Sequence, residues 1–495
     1  MNMEKETQDF NFNNSFALSL EDFFVSCKSE SSSSPKLLKL NNNLAKELGL
    51  KVDFLNSKEG LDILSGNTLP EGATPIAQAY SGHQFGGFTP LLGDGRALLL
   101  GEIINMHQER KDIQLKGSGR TPFSRGGDGK SALGPVLREY LLSEFMHVLG
   151  IPTTRALAAV STGDLVSRDT HLPGGILTRV ASSHIRIGTF QFATALGDVK
   201  KIKTLTDYCL ERHYPDSLNF DNPYLNFFES IADAQCSMVA DWMNVGFIHG
   251  VMNTDNMTIT GETIDYGPCA FMESFSNKTV FSSIDVQGRY AYGNQPEILV
   301  WNLTRLAETL VPLVDSNQEK SVELLTQKIE KIPSLYQEYW LQGMRKKVGL
   351  SSDEPADLLL IKQLLKIMEI GQADFTLVFR RLSESILGND EHIEALFNDT
   401  TNLKVWLKEW KKRITKESRS KDKIAQSMDS INPMYIARNH KVEEALLDAV
   451  ENDNISLFEE LHSVLSNPYV ENKEKEEYAL PAPESDVPYK TFCGT

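Results

Sequence analysis

His249-Gly250-Val251-Met252-Asn253-Thr254-Asp255-Asn256, followed by Thr263-Ile264-Asp265-Tyr266-Gly267, is the stretch from which this chain of 495 residues can be read. Asn256 and Asp265 offer two hard oxygen ligands of the kind that hold magnesium against nucleotide phosphates. Asp255, beside the first of them, is a carboxylate able to take a proton. Each tripeptide is common alone; the spacing and the order relative to residues upstream carry the information.

Upstream, Lys116 ends the apolar run Ile113-Gln114-Leu115 and precedes Gly117-Ser118-Gly119-Arg120, which puts its ammonium at a strand edge within reach of phosphates. Glu139 follows in a segment that starts after Gly134-Pro135 and stops at Gly150, with Leu137, Leu141, Phe145 and Val148 recurring on one helical face. Off that stripe, Glu139 is available to neutralise a lysine that must stay charged when buried. Lysine, helix glutamate, asparagine and aspartate in this order follow the plan of two-lobed protein kinases. In the kinase loop H-R-D-x-x-x-x-N the asparagine comes seven residues after the histidine, as Asn256 follows His249. Two departures stand out. Val251 occupies the place of the kinase's catalytic aspartate and accepts no proton, which leaves Asp255 as the nearest carboxylate. The turn before the lysine strand is Gly93-Asp94-Gly95-Arg96, not G-x-G-x-x-G, and its arginine adds positive charge.

Length and composition fit this plan. A chain of this size holds two to four lobes. With 50 Lys and Arg against 67 Asp and Glu the net charge is −17, so no nucleic-acid or anionic-membrane partner is expected. Five scattered cysteines without a CxxC spacing suggest neither a disulfide framework nor zinc. The acidic, amide-rich start lacks the features of a secretory signal or transit peptide, and no run reaches about 18 apolar residues; a cytoplasmic location is expected. Between 36 and 186, glycines punctuate brief apolar runs such as Ala97 to Leu100. Beyond 187, helical periodicity takes over, as in Leu303, Leu306, Leu310 and Leu313, or Leu359, Leu360, Leu364 and Leu365. The expected fold is α+β and two-lobed, protein-kinase-like: a polar arm over 1–35 that is loose or draped over the body, a small β-rich N-lobe over 36–186 with one embedded helix, a large mainly helical C-lobe over 187–466, and an irregular tail over 467–495. The basic stretch Lys408 to Lys423 reads as a solvated helix face.

The motifs together resemble the selenoprotein O family of protein adenylyltransferases. They are Pro75-Ile76-Ala77-Gln78, Ser81-Gly82-His83-Gln84-Phe85-Gly86-Gly87, Leu92-Gly93-Asp94-Gly95-Arg96, Gln114-Leu115-Lys116-Gly117-Ser118-Gly119, 249–256, and Asp265-Tyr266-Gly267-Pro268. The resemblance implies a kinase-like enzyme that moves AMP from ATP to Ser, Thr or Tyr hydroxyls of proteins, with Mg2+ (Mn2+ as alternative) and with the nucleotide inverted relative to a kinase. It puts nucleotide contacts on Gly93, Gly95, Arg96, Lys116, Asp128, Gly129, Arg179, Arg186 and Asp265, the proton acceptor on Asp255, the metal on Asn256 and Asp265, and the lysine's partner on Glu139. Arg179 and Arg186 suit an inverted triphosphate, since guanidinium groups clamp phosphate oxygens bidentately. His83 is read as a turn residue with no chemical step. Cys493 matches the cysteine or selenocysteine near the end of many relatives, while Phe281 stands where some place a second cysteine, leaving Cys269 as the only nearby substitute. A kinase using Asp255 as base, and a nucleotide-binding scaffold without catalysis, are the alternatives.

Overall fold

The apolar runs Ala97 to Leu100 and Ile113 to Leu115 lie at the centre of an eight-stranded antiparallel sheet. In the computed structural model, which describes residues 10–483 and 489–491, ten strands precede the helical part. They are β1 (Phe24–Ser26), β2 (Lys36–Leu40), β3 (Ile76–Gln78), β4 (Gly82–Gln84), β5 (Gly87–Thr89), β6 (Ala97–Ile104), β7 (Arg110–Lys116), β8 (Ser131–Ala132), β9 (Arg155–Ser167) and β10 (His171–Ala181). The sheet runs β1-β3-β6-β7-β10-β9-β2, with β8 paired to β10, while β4 and β5 form a separate hairpin.

Register decides what the sheet presents. Lys116 lies opposite Ala97 and Leu177, and Gln114 lies between Leu99 and Arg179. Because side chains alternate along a strand, Gln114, Lys116 and Arg179 share one face, and Ile113, Leu115 and Val180 pack into the core on the other. The helix Leu133–Val148 covers the first face and buries Leu137, Tyr140, Leu141 and Phe145. This holds Glu139, itself buried, beside Lys116.

Two expectations about this half are corrected. The segment read as a loose arm is packed from Phe10 onward: Phe10, Phe16, Leu20 and Phe23 are all core residues, and β1 pairs with β3 at the sheet edge. Its polar composition concealed four apolar side chains at spacings that reach the body. Phe16→Ala should therefore cost about 3–5 kcal/mol, read as a lowered midpoint in urea unfolding. The second correction concerns the single embedded helix. Three short helices, Asn42–Glu47, Val52–Leu55 and Lys58–Leu64, precede it, the first capped by the Asn41 side chain and the third by that of Ser57, and Leu44, Leu48, Leu55 and Leu64 seal the far face of the sheet.

From Arg186 onward the described chain is mainly helical. The helix Ile187–Ala195 starts beside the site, and Pro223–Val245 ends on Gly246 in the left-handed region at φ +72°. Leu303, Leu306 and Leu310 are fully buried as their spacing predicts, whereas Leu359 is 62 % exposed beside the buried Leu360 and Leu364. Within 408–423 most basic side chains face solvent, but Arg413 is buried against Asp357 and Glu417. Among the described residues no helix is long and apolar enough to cross a membrane.

A buried ionic knot ties the sheet to the helix Val199–His213. Arg212 binds Glu102 Oε2 at 3.2 Å and Asp112 Oδ1 at 2.7 Å, and His184 Nδ1 meets Asp112 Oδ2 at 3.0 Å. At the other end, Tyr489 and Thr491 return to the segment after Gly267: Thr491 Oγ1 donates to Pro268 O at 2.6 Å, and Thr491 pairs with Ser282. Cys493 lies outside the described residues.

Candidate active site

All twelve residues singled out from the sequence line one cleft of about 1180 Å³: Gly93, Gly95, Arg96, Lys116, Asp128, Gly129, Glu139, Arg179, Arg186, Asp255, Asn256 and Asp265. A volume of that size takes a nucleotide and leaves room beside it.

The charged centre is built around Asp265. Lys116 Nζ donates to Glu139 Oε2 at 2.6 Å and to Asp265 Oδ1 at 2.7 Å. Arg179 Nη1 reaches the same Asp265 oxygen at 2.7 Å and Glu139 Oε1 at 3.1 Å, while its Nε and Nη2 both donate to Gln114 Oε1. Every nitrogen of Arg179 thus already has a protein acceptor, so it holds the two carboxylates in place. Arg186 Nη1 donates to the Asp255 carbonyl at 3.0 Å and lies 3.5 Å from Asp265 Oδ2; its guanidinium stacks on Tyr80 at 4.4 Å. Burial alone would raise the Asp265 carboxyl, but Lys116, Arg179 and Arg186 outweigh it and hold the group well below the ordinary carboxylate range. Asp265 takes φ +65°, a left-handed conformation that aspartate tolerates better than most residues.

The loop 249–256 is braced by His249, whose Nε2 donates to Ile264 O at 2.8 Å. That bond joins the two motifs through structure, without a chemical role for the imidazole. Gly250 sits at φ +82°, where a side chain would strike Pro268 O. Asp255 is buried, and burial pushes its carboxyl up to about 6 against the hydrogen bond from Gln84 and the charge of Arg186. Gln84 Nε2 holds Oδ2 at 3.2 Å, whereas Oδ1 is buried with no partner. Gly82 makes room for it, since a Cβ there would stand 2.3 Å from Oδ1.

Asn256 Nδ2 donates to Val251 O at 2.9 Å, so the amide oxygen is the atom of this side chain that would meet a metal. Among the described residues no group of three or more His, Cys, Asp or Glu side chains could hold a metal. Two side-chain oxygens in the lining of this cleft nevertheless fit magnesium, which commonly takes one or two protein ligands and completes its shell with phosphates and water.

The loops above the centre follow from their glycines. Gly93 lies at φ +69° with the Phe123 ring filling the place of a side chain, and Gly129 at φ +67° passes Gly119 O so closely that a Cβ would be 2.1 Å away. Asp128 is paired with Arg168 at 2.9 Å. Sequence reasoning missed Tyr80, Asp94 and Gln84. Asp94 is buried, accepts from Gln78 N and Gln114 Nε2 at 3.2 Å, and lies 4.0 Å from Arg186. Its position between two motif glycines was the available signal. His83, read as a turn residue, lies instead in β4 next to the turn: its Nδ1 is 2.7 Å from Gln191 Nε2 and its ring packs on Phe88 and Trp301.

Comparison with known proteins bears on this arrangement. Residues 6–466 match the family model described as protein adenylyltransferase SelO. The chain belongs to that family. It is 55 % identical over 488 residues to a protein nucleotidyltransferase YdiU of Cereibacter sphaeroides, covering 98 % of this chain and 100 % of that one. The YdiU proteins of Anoxybacillus flavithermus and Rhizobium meliloti are 52 % and 51 % identical, each over 98 % of this chain and 99 % of theirs. The twelve cleft residues of this SelO-family member all lie within the span that the family model matches.

Proposed function

We propose that this chain is a protein adenylyltransferase with a two-lobed, kinase-like build, divided as 36–186 and 187–466. It transfers AMP from ATP to Ser, Thr or Tyr hydroxyls of protein substrates and releases pyrophosphate. The observation that carries the reading is a pair of buried polar atoms in the lining of one cleft, Asp255 Oδ1 and Arg186 Nη2, neither with a hydrogen-bond partner. Buried polar groups are ordinarily satisfied, and an acceptor hydroxyl and a phosphate oxygen are the groups that would satisfy these two.

In this reading Asp255 Oδ1 takes the proton of the acceptor hydroxyl, whose oxygen forms a bond to the α-phosphorus. The bond from that phosphorus to the bridging oxygen breaks, and the pair leaves with pyrophosphate. Lys116 and Arg186, with Arg96 at the cleft's edge, stabilise charge on the phosphates, while Arg179 and Glu139 keep Lys116 and Asp265 aligned. Magnesium, or manganese, held by Asn256 and Asp265 would neutralise phosphate charge. Val251, with no proton-accepting atom, speaks against a kinase step. The free thiols among the described residues, Cys27, Cys209, Cys236 and Cys269, suit a reducing, cytoplasmic compartment.

ATP labelled on either the α or the γ phosphate tests the reading. Label from the α-phosphate should appear on protein and label from the γ-phosphate should not. Incorporation of γ label alone would replace the reading with a kinase, and no incorporation of either would leave a nucleotide-binding scaffold.

A further inference from the structure

The motif Ser81-Gly82-His83-Gln84-Phe85-Gly86-Gly87 is only partly used by the chemistry above. β4 and β5 close on a two-residue turn, Gln84 opposite Gly87, with φ +51° at Phe85 and +86° at Gly86. Turns with two positive φ angles ordinarily take Asn, Asp or Gly at the first position, because a bulky side chain is strained there. A phenylalanine at that point is held from outside the hairpin. His83 N–H donates to Thr254 Oγ1 at 2.7 Å, Gln84 Nε2 to Asp255 Oδ2 at 3.2 Å, and Phe85 N–H to Asn253 Oδ1 at 3.1 Å. Three consecutive hairpin residues are pinned to three consecutive residues of the loop that carries Asp255.

Despite this anchoring, the Phe85 ring is 37 % exposed at the border of the cleft, and Phe88 is 47 % exposed. Ile284, across the same cleft, is also exposed. Against the turn lies Arg289, its guanidinium 3.7 Å from the place of a Gly86 side chain and stacked 4.8 Å from the Trp301 ring. Its Nε and Nη2 are buried without a hydrogen-bond partner. Arg305, also stacked on Trp301, is neutralised by Glu308 at 2.6 Å; among the described residues no carboxylate does the same for Arg289.

We propose that this hairpin is the docking platform for the acceptor: an extended segment of the substrate protein lies across Phe85 and Phe88, with an acidic side chain at Arg289 and its hydroxyl at Asp255. Charge complementarity selects the occupant. The chain carries a net charge of −17 and repels acidic segments in general, so an uncompensated guanidinium on an apolar ledge favours one that places its carboxylate there and rejects a basic residue at the same point. ATP does not compete for this position, because Arg289 lies outside the lining of the nucleotide cleft. The pinning of 83–85 onto 253–255 keeps a segment docked on the hairpin in register with the base.

The proposal rests on the transferase reading, and one experiment separates the two. Two synthetic peptides carry the same serine next to a phenylalanine and differ in one flanking residue, glutamate or lysine; transfer of α-labelled AMP to each is measured. The parent enzyme should favour the glutamate peptide by about tenfold in kcat/KM, the scale of one close charge pair. Arg289→Glu should reverse that order with the KM for ATP unchanged, a reversal that misfolding cannot produce. Arg289→Gln should erase the preference, and Phe85→Ala should raise the KM for both peptides. Equal use of the two peptides by the parent, or a preference that survives Arg289→Gln, would overturn the docking site while leaving the transferase intact. Absence of label on the peptides and on the enzyme itself would overturn both.

Discussion

Asp255→Asn should bind ATP as the parent does and transfer AMP about 10²- to 10⁴-fold more slowly, the contribution of a positioned base. Asparagine keeps the shape of the side chain and its contact with Gln84, so the cleft stays filled as before. The buried Oδ1 that lacks a partner is replaced or joined by an amide that cannot take a proton. Lys116 and Arg186, the proposed phosphate contacts, keep their own partners at Glu139, Asp265 and the Asp255 carbonyl. Calorimetric titration with a non-hydrolysable ATP analogue, set beside single-turnover transfer, separates the two effects. An equal loss of affinity and rate would assign Asp255 to binding and remove it as the base.

Asp265→Ala should do more: no transfer above background at any magnesium concentration. This carboxylate is the shared acceptor of Lys116 and Arg179, with Arg186 3.5 Å away. Its removal leaves Lys116 and Arg179 with Glu139 as their remaining acid and Arg186 with Asp94 4.0 Å away, and weakens the fold as well. Losing one partner of a buried pair costs on the order of 3 kcal/mol, which urea unfolding would register. Wild-type turnover in this variant would show that the metal is held elsewhere.

Lys116, Glu139, Asn256 and Asp265 were legible in the sequence because each sits at a fixed offset within a periodic element or a short loop, where local rules decide placement. Arg179 was legible only through the family resemblance. It occupies a strand, and nothing local marks its side chain as buried; burial follows from the register that sets it beside Gln114. Gln84 and Asp94 escaped for the same reason, since their importance arises from contacts with residues far along the chain. The arm was misjudged because composition averages over a window, whereas Phe10, Phe16 and Phe23 act one at a time. The short helices at 42–64 were overlooked beneath the glycine-rich texture of their surroundings, although Asn41 and Ser57 are ordinary helix caps.

The strand β2 has a history that the finished sheet conceals. Lys36–Leu40 pairs only with β9, at Ser161, Val160, Ala159 and Ala158, so its partner lies about 120 residues downstream. A ribosome adding roughly 5–20 residues per second finishes β9 about 6–25 s after β2 emerges. Throughout that interval Leu37, Leu38 and Leu40 form a leucine-rich edge with no strand to pair with, open to other nascent chains or to a chaperone. Slowing translation between residues 40 and 155 would lengthen that exposure, and the yield of native protein would fall with it before any property of the folded enzyme had changed.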